Sequence, residues 1–150
     1  MIITIAHSCR RSTGGTLFAL CAALSLGACT LPPAQPVDGG LPPCGSFPNC
    51  VSSSDTGGAS IEPIAATKAQ WQALKTWLSK QPDWRIDIDD DAFVQAVAIT
   101  PTMRYRDDVQ LQFSDEDQHI EVRSSSRLGI GDMGANRARI ELLRSTVSAL

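Results

Sequence analysis

The sequence contains few of the residues on which hydrolytic, redox and metal chemistry usually depend. Its only histidines are His7 and His119, too few for a histidine-based metal site. It has no Gly-x-Ser-x-Gly turn to present a nucleophilic serine and no Cys-x-x-Cys redox pair. We therefore predict no catalytic residue, no metal site and no cofactor. An enzyme that uses Asp107, Asp108 or Asp132 as a carboxylate base remains the alternative.

Acidic residues are absent from residues 1–28, which carry Arg10 and Arg11 followed by an apolar run over residues 17–26. This order is typical of a secretory signal, and the run is shorter than the ~20 apolar residues that span a bilayer as a helix. The next residues, Leu-Gly-Ala-Cys29, resemble the bacterial lipobox, whose cysteine is acylated. We predict a lipoprotein signal peptide over residues 1–28 and a lipid on Cys29. The alternative is an ordinary signal or an anchor in which Cys29 has no role.

A chain held in this way belongs to the bacterial cell envelope, on the periplasmic side, with the membrane as its first partner. Several acyl chains on one residue hold a protein stably where a single chain does not. The residue after Cys29 is Thr30 and not aspartate. By resemblance to the sorting of Gram-negative lipoproteins, this favours the outer membrane over the inner.

An excess of basic residues is also lacking. The whole chain has a net charge of −3, and without Arg10 and Arg11 eleven basic residues face sixteen acidic ones, a net charge of −5 for residues 29–150. Proteins that track nucleic acids gain their affinity from Lys and Arg at the phosphates. We therefore exclude nucleic acid as a partner.

The remaining cysteines sort by position. Cys9 and Cys21 fall in the predicted signal and Cys29 is the lipid acceptor, which leaves Cys44 and Cys50. A pair of cysteines in an exported chain predicts a disulfide, because the compartment is oxidising. The functional alternatives, a redox pair or a zinc site, would need a shorter spacing or further ligands.

The chain from Cys29 onward divides into a linker and one domain. Residues 29–43 contain five prolines and predict an extended linker. Residues 44–150 form the predicted single domain. Thr67 and Gln70 match a capping box, and the first helix then places four apolar residues on one face: Trp71, Leu74, Trp77 and Leu78.

After Pro82 the period of the apolar residues changes from helical spacing to two. Alternation over residues 84–88, 93–99, 109–113 and 120–122 predicts four strands joined mostly by short turns. A last helix follows, with its start near Asp132 or Asn136. The fold class is therefore α+β, a four-stranded antiparallel meander packed with two helices in the order α-β-β-β-β-α.

The densest polar chemistry of the chain lies between the last strand and the last helix. Glycines, arginines and hydroxyls meet there where a helix presents unpaired backbone N–H groups, which favours binding of an anion. The candidate ligand-binding residues are Arg123, Ser124, Ser126, Arg127, Gly129, Gly131, Asp132, Gly134, Asn136 and Arg137. In the alternative, a structural lock, Asp132 caps the helix, while Arg123 and Arg127 pair with Asp107 and Asp108.

Three stretches of this sequence resemble the domain-of-unknown-function 1499 family: Cys44-Gly-Ser-Phe-Pro-Asn-Cys50-Val-Ser-Ser, Tyr105-Arg-Asp-Asp-Val109, and residues 122–140. The resemblance covers Cys44 to Leu150. It implies one domain in which the first and last motifs are important, and it implies no activity.

We predict an envelope protein that binds or supports a partner and does not catalyse. In the leading hypothesis Arg127, Arg137 and the turn over residues 129–134 recognise an anionic ligand or an anionic group on an envelope protein. The alternatives are the carboxylate enzyme above, acting as a hydrolase or transferase, and a purely structural envelope accessory.

Overall fold

The computed structural model describes residues 39–150, so the predictions for the signal peptide, for Cys29 and for most of the linker lie outside the described residues. The described chain is an α+β domain, as predicted. It contains a short 3₁₀ helix over Gly57–Ala59, six strands and two α-helices. These are β1 (Cys50–Ser52), β2 (Ile64–Ala65), α1 (Lys68–Leu78), β3 (Trp84–Asp89), β4 (Phe93–Ile99), β5 (Arg106–Ser114), β6 (His119–Ser126) and α2 (Ala135–Ala149).

The sheet has six strands where the sequence predicted four. Strands β3 to β6 form an antiparallel meander, and both β1 and β2 pair with the outer edge of β6. The predicted order is therefore wrong at its start: two strands precede α1. Strands of three and two residues are too short to show an alternating pattern. Their pairing covers an edge that would otherwise leave unpaired backbone groups.

One face of the sheet packs against both helices and holds the apolar core. Trp71, Leu74 and Leu78, which lie on the predicted apolar face of α1, are fully buried. The ring of Trp71 stacks on Phe113 with centroids 5.9 Å apart. The sheet contributes alternate residues, and the core cluster also includes Val94, Ala96, Ala98, Val109, Leu111, Ile120, Val122, Ile140, Leu143 and Val147.

The first helix begins as predicted. The Thr67 side chain accepts a hydrogen bond from the backbone N–H of Gln70, and the Gln70 side chain accepts one from the backbone N–H of Thr67. This reciprocal pair satisfies two of the donors that a helix start leaves unpaired. The capping box therefore fixes where α1 begins against the sheet.

The other face of the sheet is polar, yet several of its side chains are buried. Gln95, Gln110 and Arg123 are each less than a tenth exposed. The last residues of the predicted linker belong with the domain, because Leu41 and Pro42 are buried. Neither helix within residues 39–150 is long and apolar enough to cross a membrane.

Candidate functional site

The predicted motif lies at one end of the sheet, where β5 begins, β6 ends and α2 begins. The loop closed by the disulfide of Cys44 and Cys50, which confirms that prediction, lies against it. Asn49 donates from Nδ2 to the carbonyl oxygen of Gly129 at 2.8 Å, and Cys50 pairs with Ser125 in the sheet. We call this region the loop end. It comprises residues 44–49, 100–106 and 127–137.

The centre of the loop end is the side chain of Asn136, which is completely buried. Its Nδ2 donates to the carbonyl oxygen of Asn49 at 2.8 Å and to Ser126 Oγ at 3.1 Å. Its Oδ1 accepts from Ser124 Oγ at 2.7 Å and from Arg139 Nη1 at 2.6 Å. An amide has two donors and two acceptor positions, so every hydrogen-bonding position of Asn136 is used within the protein.

The guanidinium of Arg139 extends this network to β5. It donates from Nη1 to Ser124 Oγ at 2.8 Å and from Nη2 to Asp107 Oδ2 at 2.5 Å. The Arg139 side chain is 10% exposed and that of Asp107 is 4% exposed. A buried carboxylate is tolerated only when it is paired and hydrogen-bonded. Asp107 is therefore held by the helix that follows the motif.

Arg127 pairs with Asp108 on the opposite face of the sheet. Its Nε lies 3.1 and 3.0 Å from the two carboxylate oxygens, and its Nη2 lies 2.6 Å from Oδ1. The side chains are 12% and 6% exposed. The hydrogen bond to Asp108 raises the pKa of Arg127 above its ordinary value. This two-pronged contact was part of the structural-lock alternative, and it occupies the arginine that the anion hypothesis needed most.

Arg123 has a different environment from the one predicted. It lies on the polar face of the sheet, 6% exposed, with Nη1 3.3 Å from Gln110 Oε1. It does not pair with Asp107, whose partner is Arg139. Its Nε has no hydrogen-bond partner among the described residues. Burial lowers the pKa of Arg123, although Asp108 and Asp55 act in the other direction.

The N-terminus of α2 is occupied by a carboxylate of the chain itself. Asp132 accepts from the backbone N–H of Gly134 at 3.0 Å and from that of Asn136 at 2.8 Å. Gly134, the residue that caps the helix, has φ +84°, and Gly129 has φ +90°, the left-handed backbone that favours glycine. Burial acts to raise the pKa of Asp132, but these N–H donors outweigh it and hold the pKa below the usual value.

Arg137 is the predicted arginine that stays exposed. Its Nη2 donates to the carbonyl oxygens of Gly58 and Ser60 at 3.1 and 2.8 Å. Together with Asp132 and the disulfide loop it lines a shallow depression of about 380 Å³. Of the three predicted arginines, this one alone is placed to reach a ligand in solvent.

The three acids proposed as catalytic bases are all engaged. Asp107 and Asp108 each bind an arginine, and Asp132 binds backbone N–H groups. Each carboxylate would have to leave these partners before it could take a proton from a substrate. Within residues 39–150 no group of three or more His, Cys, Asp or Glu side chains could hold a metal ion.

A family model described as "Protein of unknown function (DUF1499)" matches residues 40–147. The chain belongs to the DUF1499 family. No curated protein matched the sequence significantly, and no solved structure did so. The matched range includes the disulfide loop, both salt bridges to β5 and most of α2.

The loops of this DUF1499 domain expose large apolar side chains at the loop end. Among residues 39–150 nine large apolar residues are exposed, and six of them lie here. Met133 has the highest exposure, 105% of its reference area, and Ile130 follows at 75%. The six residues are Phe47, Met103, Tyr105, Leu128, Ile130 and Met133.

A depression of about 440 Å³ lies among these loops. Its walls include Tyr105, Leu128 and Met133, and its lining also includes Asp107 and Ser126 of the buried network. The network therefore lies beneath the depression, and apolar groups surround its mouth. This arrangement suits an apolar or amphipathic group better than a bare anion.

Sequence reasoning missed two features of this site. Arg139 was not among the candidates, although its position three residues after Asn136 places both on one side of α2. The exposed apolar residues were missed because Leu128, Ile130 and Met133 alternate with glycines in a loop, where no period indicates which side chains face solvent.

We expect Asp132→Asn to lower the free energy of unfolding by about 1 kcal/mol at neutral pH, because it removes the negative charge at the start of α2. The pKa of the Asp132 carboxyl is lower in the folded chain than in the unfolded chain. The stabilisation is therefore fully present when the pH is above the pKa that Asp132 has in the unfolded chain. It is lost as the pH falls through the lower folded value. Urea unfolding at neutral and strongly acidic pH should thus show a difference that shrinks in acid. Glu116→Gln, at an exposed turn, is the control and should show no such difference.

We expect Arg127→Met to lower the free energy of unfolding by about 3 kcal/mol, because it leaves the buried Asp108 carboxylate without its partner. Adding Asp108→Asn should recover part of that loss, since the uncompensated charge is then gone. Urea unfolding of the two single variants and the double variant measures this coupling. Unchanged stability in Arg127→Met would show that the pair does not hold the fold.

Proposed function

We propose that this protein is an accessory of the bacterial cell envelope, tethered by a lipid on Cys29, that binds a partner at the loop end without catalysing a reaction. One observation supports the proposal above the others. The polar side chains of the motif form hydrogen bonds and salt bridges within the domain. The loops that they hold in place expose apolar side chains to solvent.

The recognition mode differs from the anion site that the sequence suggested. Arg127 is occupied by Asp108, and Asp132 already fills the start of α2. Exposed apolar clusters on soluble domains mark interaction sites, because solvated apolar area is costly unless a partner covers it. Arg137 remains at the edge of this surface and favours a partner that also carries negative charge.

The carboxylate enzyme finds less support. Each of its three candidate bases is bound to a cation or to backbone donors, and a ligand would have to displace those contacts before a proton could be taken. The purely structural accessory accounts for the buried network but leaves the six exposed apolar side chains without a role. Binding at the loop end accounts for both.

The tether makes a separate prediction. In cells, Cys29→Ala should move the protein from the membrane fraction to the soluble envelope fraction after a high-salt wash, because the acyl chains are lost. Fractionation with metabolic labelling by a radioactive fatty acid measures this. Cys21→Ala, within the predicted signal, is the matched control and should stay labelled. Retention of the label in Cys29→Ala would disprove the tether.

The binding site is tested by placing the photoreactive residue benzoylphenylalanine at position 130 in intact cells. We expect illumination to link position 130 to another molecule, because Ile130 is 75% exposed within the apolar cluster. The control is the same residue at position 150, since Leu150 is 51% exposed but lies at the far end of α2. Equal products at both positions, or none at position 130, would contradict a binding surface at the loop end.

A further inference from the structure

We propose that the loop end docks on the surface of a lipid bilayer that carries anionic headgroups. This inference rests on the proposed function, because it names the partner of the same surface. The apolar side chains enter the interfacial region of the bilayer, and the exposed arginines beside them contact the headgroups.

The shape of the apolar surface favours a bilayer over a folded protein. Its side chains come from three separate loops, and Met133 is fully exposed. Residues that dominate protein interfaces usually sit in packed pockets that match their partner's shape. A bilayer interface is fluid and accommodates isolated apolar side chains without a matching surface. Tyr105 suits this depth, because its ring is apolar and its hydroxyl can stay hydrated.

The backbone at Met133 gives a second reason. Its φ is +52°, the left-handed region, which costs a residue with a side chain more than it costs glycine. Positions 131 and 134 are glycine. Position 133, between them, instead carries the large apolar side chain of methionine, directed away from the domain. The turn itself supports that conformation, because the backbone N–H of Ala135 donates to the carbonyl oxygen of Asp132. Insertion into an apolar medium buries the large side chain that this turn exposes.

Charge at the loop end complements an anionic surface. Arg104, Arg106 and Arg137 are all exposed there. Three acids lie near them, and each has a partner. Asp83 lies 3.8 Å from Arg104, Asp55 accepts from the backbone N–H of Cys44, and Asp132 accepts from backbone N–H groups at the start of α2. Each arginine near an anionic bilayer adds a favourable contribution that is lost beyond a Debye length.

The opposite end of the sheet carries the opposite charge. The turns β3–β4 and β5–β6 both lie there, because the strands of the meander are antiparallel. These turns expose six acids, and lysines pair with two of them, Lys68 with Asp115 and Lys75 with Asp89. The six are Asp89, Asp90, Asp91, Asp115, Glu116 and Asp117. A net-acidic chain thus keeps most of its turn acids far from a bilayer that the loop end would touch.

The length of the predicted tether permits this orientation. Gly39 enters the described domain on β5, where its carbonyl oxygen accepts from Gln112 Nε2, near the acidic end. Strand β5 has nine residues and so separates the two ends by roughly 30 Å. The ten residues from Cys29 to Asp38 reach roughly 30 Å when extended. A lipid on Cys29 can therefore lie in the same membrane plane as the loop end.

The test uses the full chain, purified from membranes and reconstituted into vesicles of phosphatidylethanolamine and phosphatidylglycerol. Ile130→Trp reports on the loop end, and Leu150→Trp is the matched control. We expect the added emission at position 130 to shift to shorter wavelength and to be quenched by acyl-brominated lipids. The added emission at position 150 should stay unquenched. The unsubstituted chain supplies the background of its three tryptophans.

Three outcomes overturn the proposal in different ways. Vesicle-bound protein without quenching at position 130 disproves docking, and the proposed function survives if benzoylphenylalanine at position 130 still links to a protein in cells. Quenching at both positions disproves an oriented loop end. Absence of the chain from the vesicles contradicts the tether and docking together.

The arginines are tested on the same reporter. Arg104→Gln and Arg106→Gln should each shift the docked population about fivefold toward the undocked state. Replacing phosphatidylglycerol with phosphatidylcholine should also shift the population toward the undocked state. Lys68→Gln, at an exposed position of α1 that pairs with Asp115 at the acidic end, is the matched control. Equal quenching in all these samples would show that anionic headgroups are not recognised.

Discussion

The buried side chain of Asn136 holds the loop end together. Its four hydrogen bonds reach the disulfide loop, two serines of β6 and a neighbouring arginine of its own helix. A carboxamide that is fully buried loses its water, so each unmade bond would cost free energy. Because all four are made, the four bonds fix the distance between α2 and β6. The loops on either side take their positions from that distance.

The same requirement explains why the polar residues of the motif bind one another. The end of β6 brings two serine hydroxyls, and the start of β5 brings two aspartates, into places where little water remains. Each needs a partner, and Arg127, Arg139 and Asn136 supply them. Arginine suits this task because its planar fork can bind a carboxylate through two nitrogens. Satisfying these groups internally leaves the apolar residues of the intervening loop to meet solvent.

Much of the fold could be predicted from the pattern of the sequence. The capping box at Thr67, the apolar face of α1 and the alternation along β4 and β5 are local signals, and each corresponds to a contact in the structure. Strands β1 and β2 carry no such signal. They exist because β6 offers an unpaired edge and the disulfide holds Cys50 beside it, which are properties of the assembled domain and not of either segment.

The sequence predicted the salt bridge of Arg127 with Asp108 but not that of Arg139 with Asp107, for a related reason. Asp107 and Asp108 are adjacent in sequence, so in a strand they point to opposite faces. The register of β5 with β6 sets Asp107 opposite Ser126, on the side of the helices, and Asp108 opposite Ser125, on the other side. Arg127 can reach only the second, and Arg139 of α2 can reach only the first. A shift of one residue would exchange the partners, and no local pattern fixes that register.

The two kinds of residue at the loop end therefore depend on each other. A loop with three glycines would sample many conformations if only its own backbone restrained it. Asp132, Asn136 and Arg127 restrain it at three points, so that Leu128, Ile130 and Met133 keep fixed positions. Presenting apolar groups from an ordered loop avoids the entropic cost of ordering that loop on contact. The internal polar network thus holds in place the loop that exposes the apolar side chains.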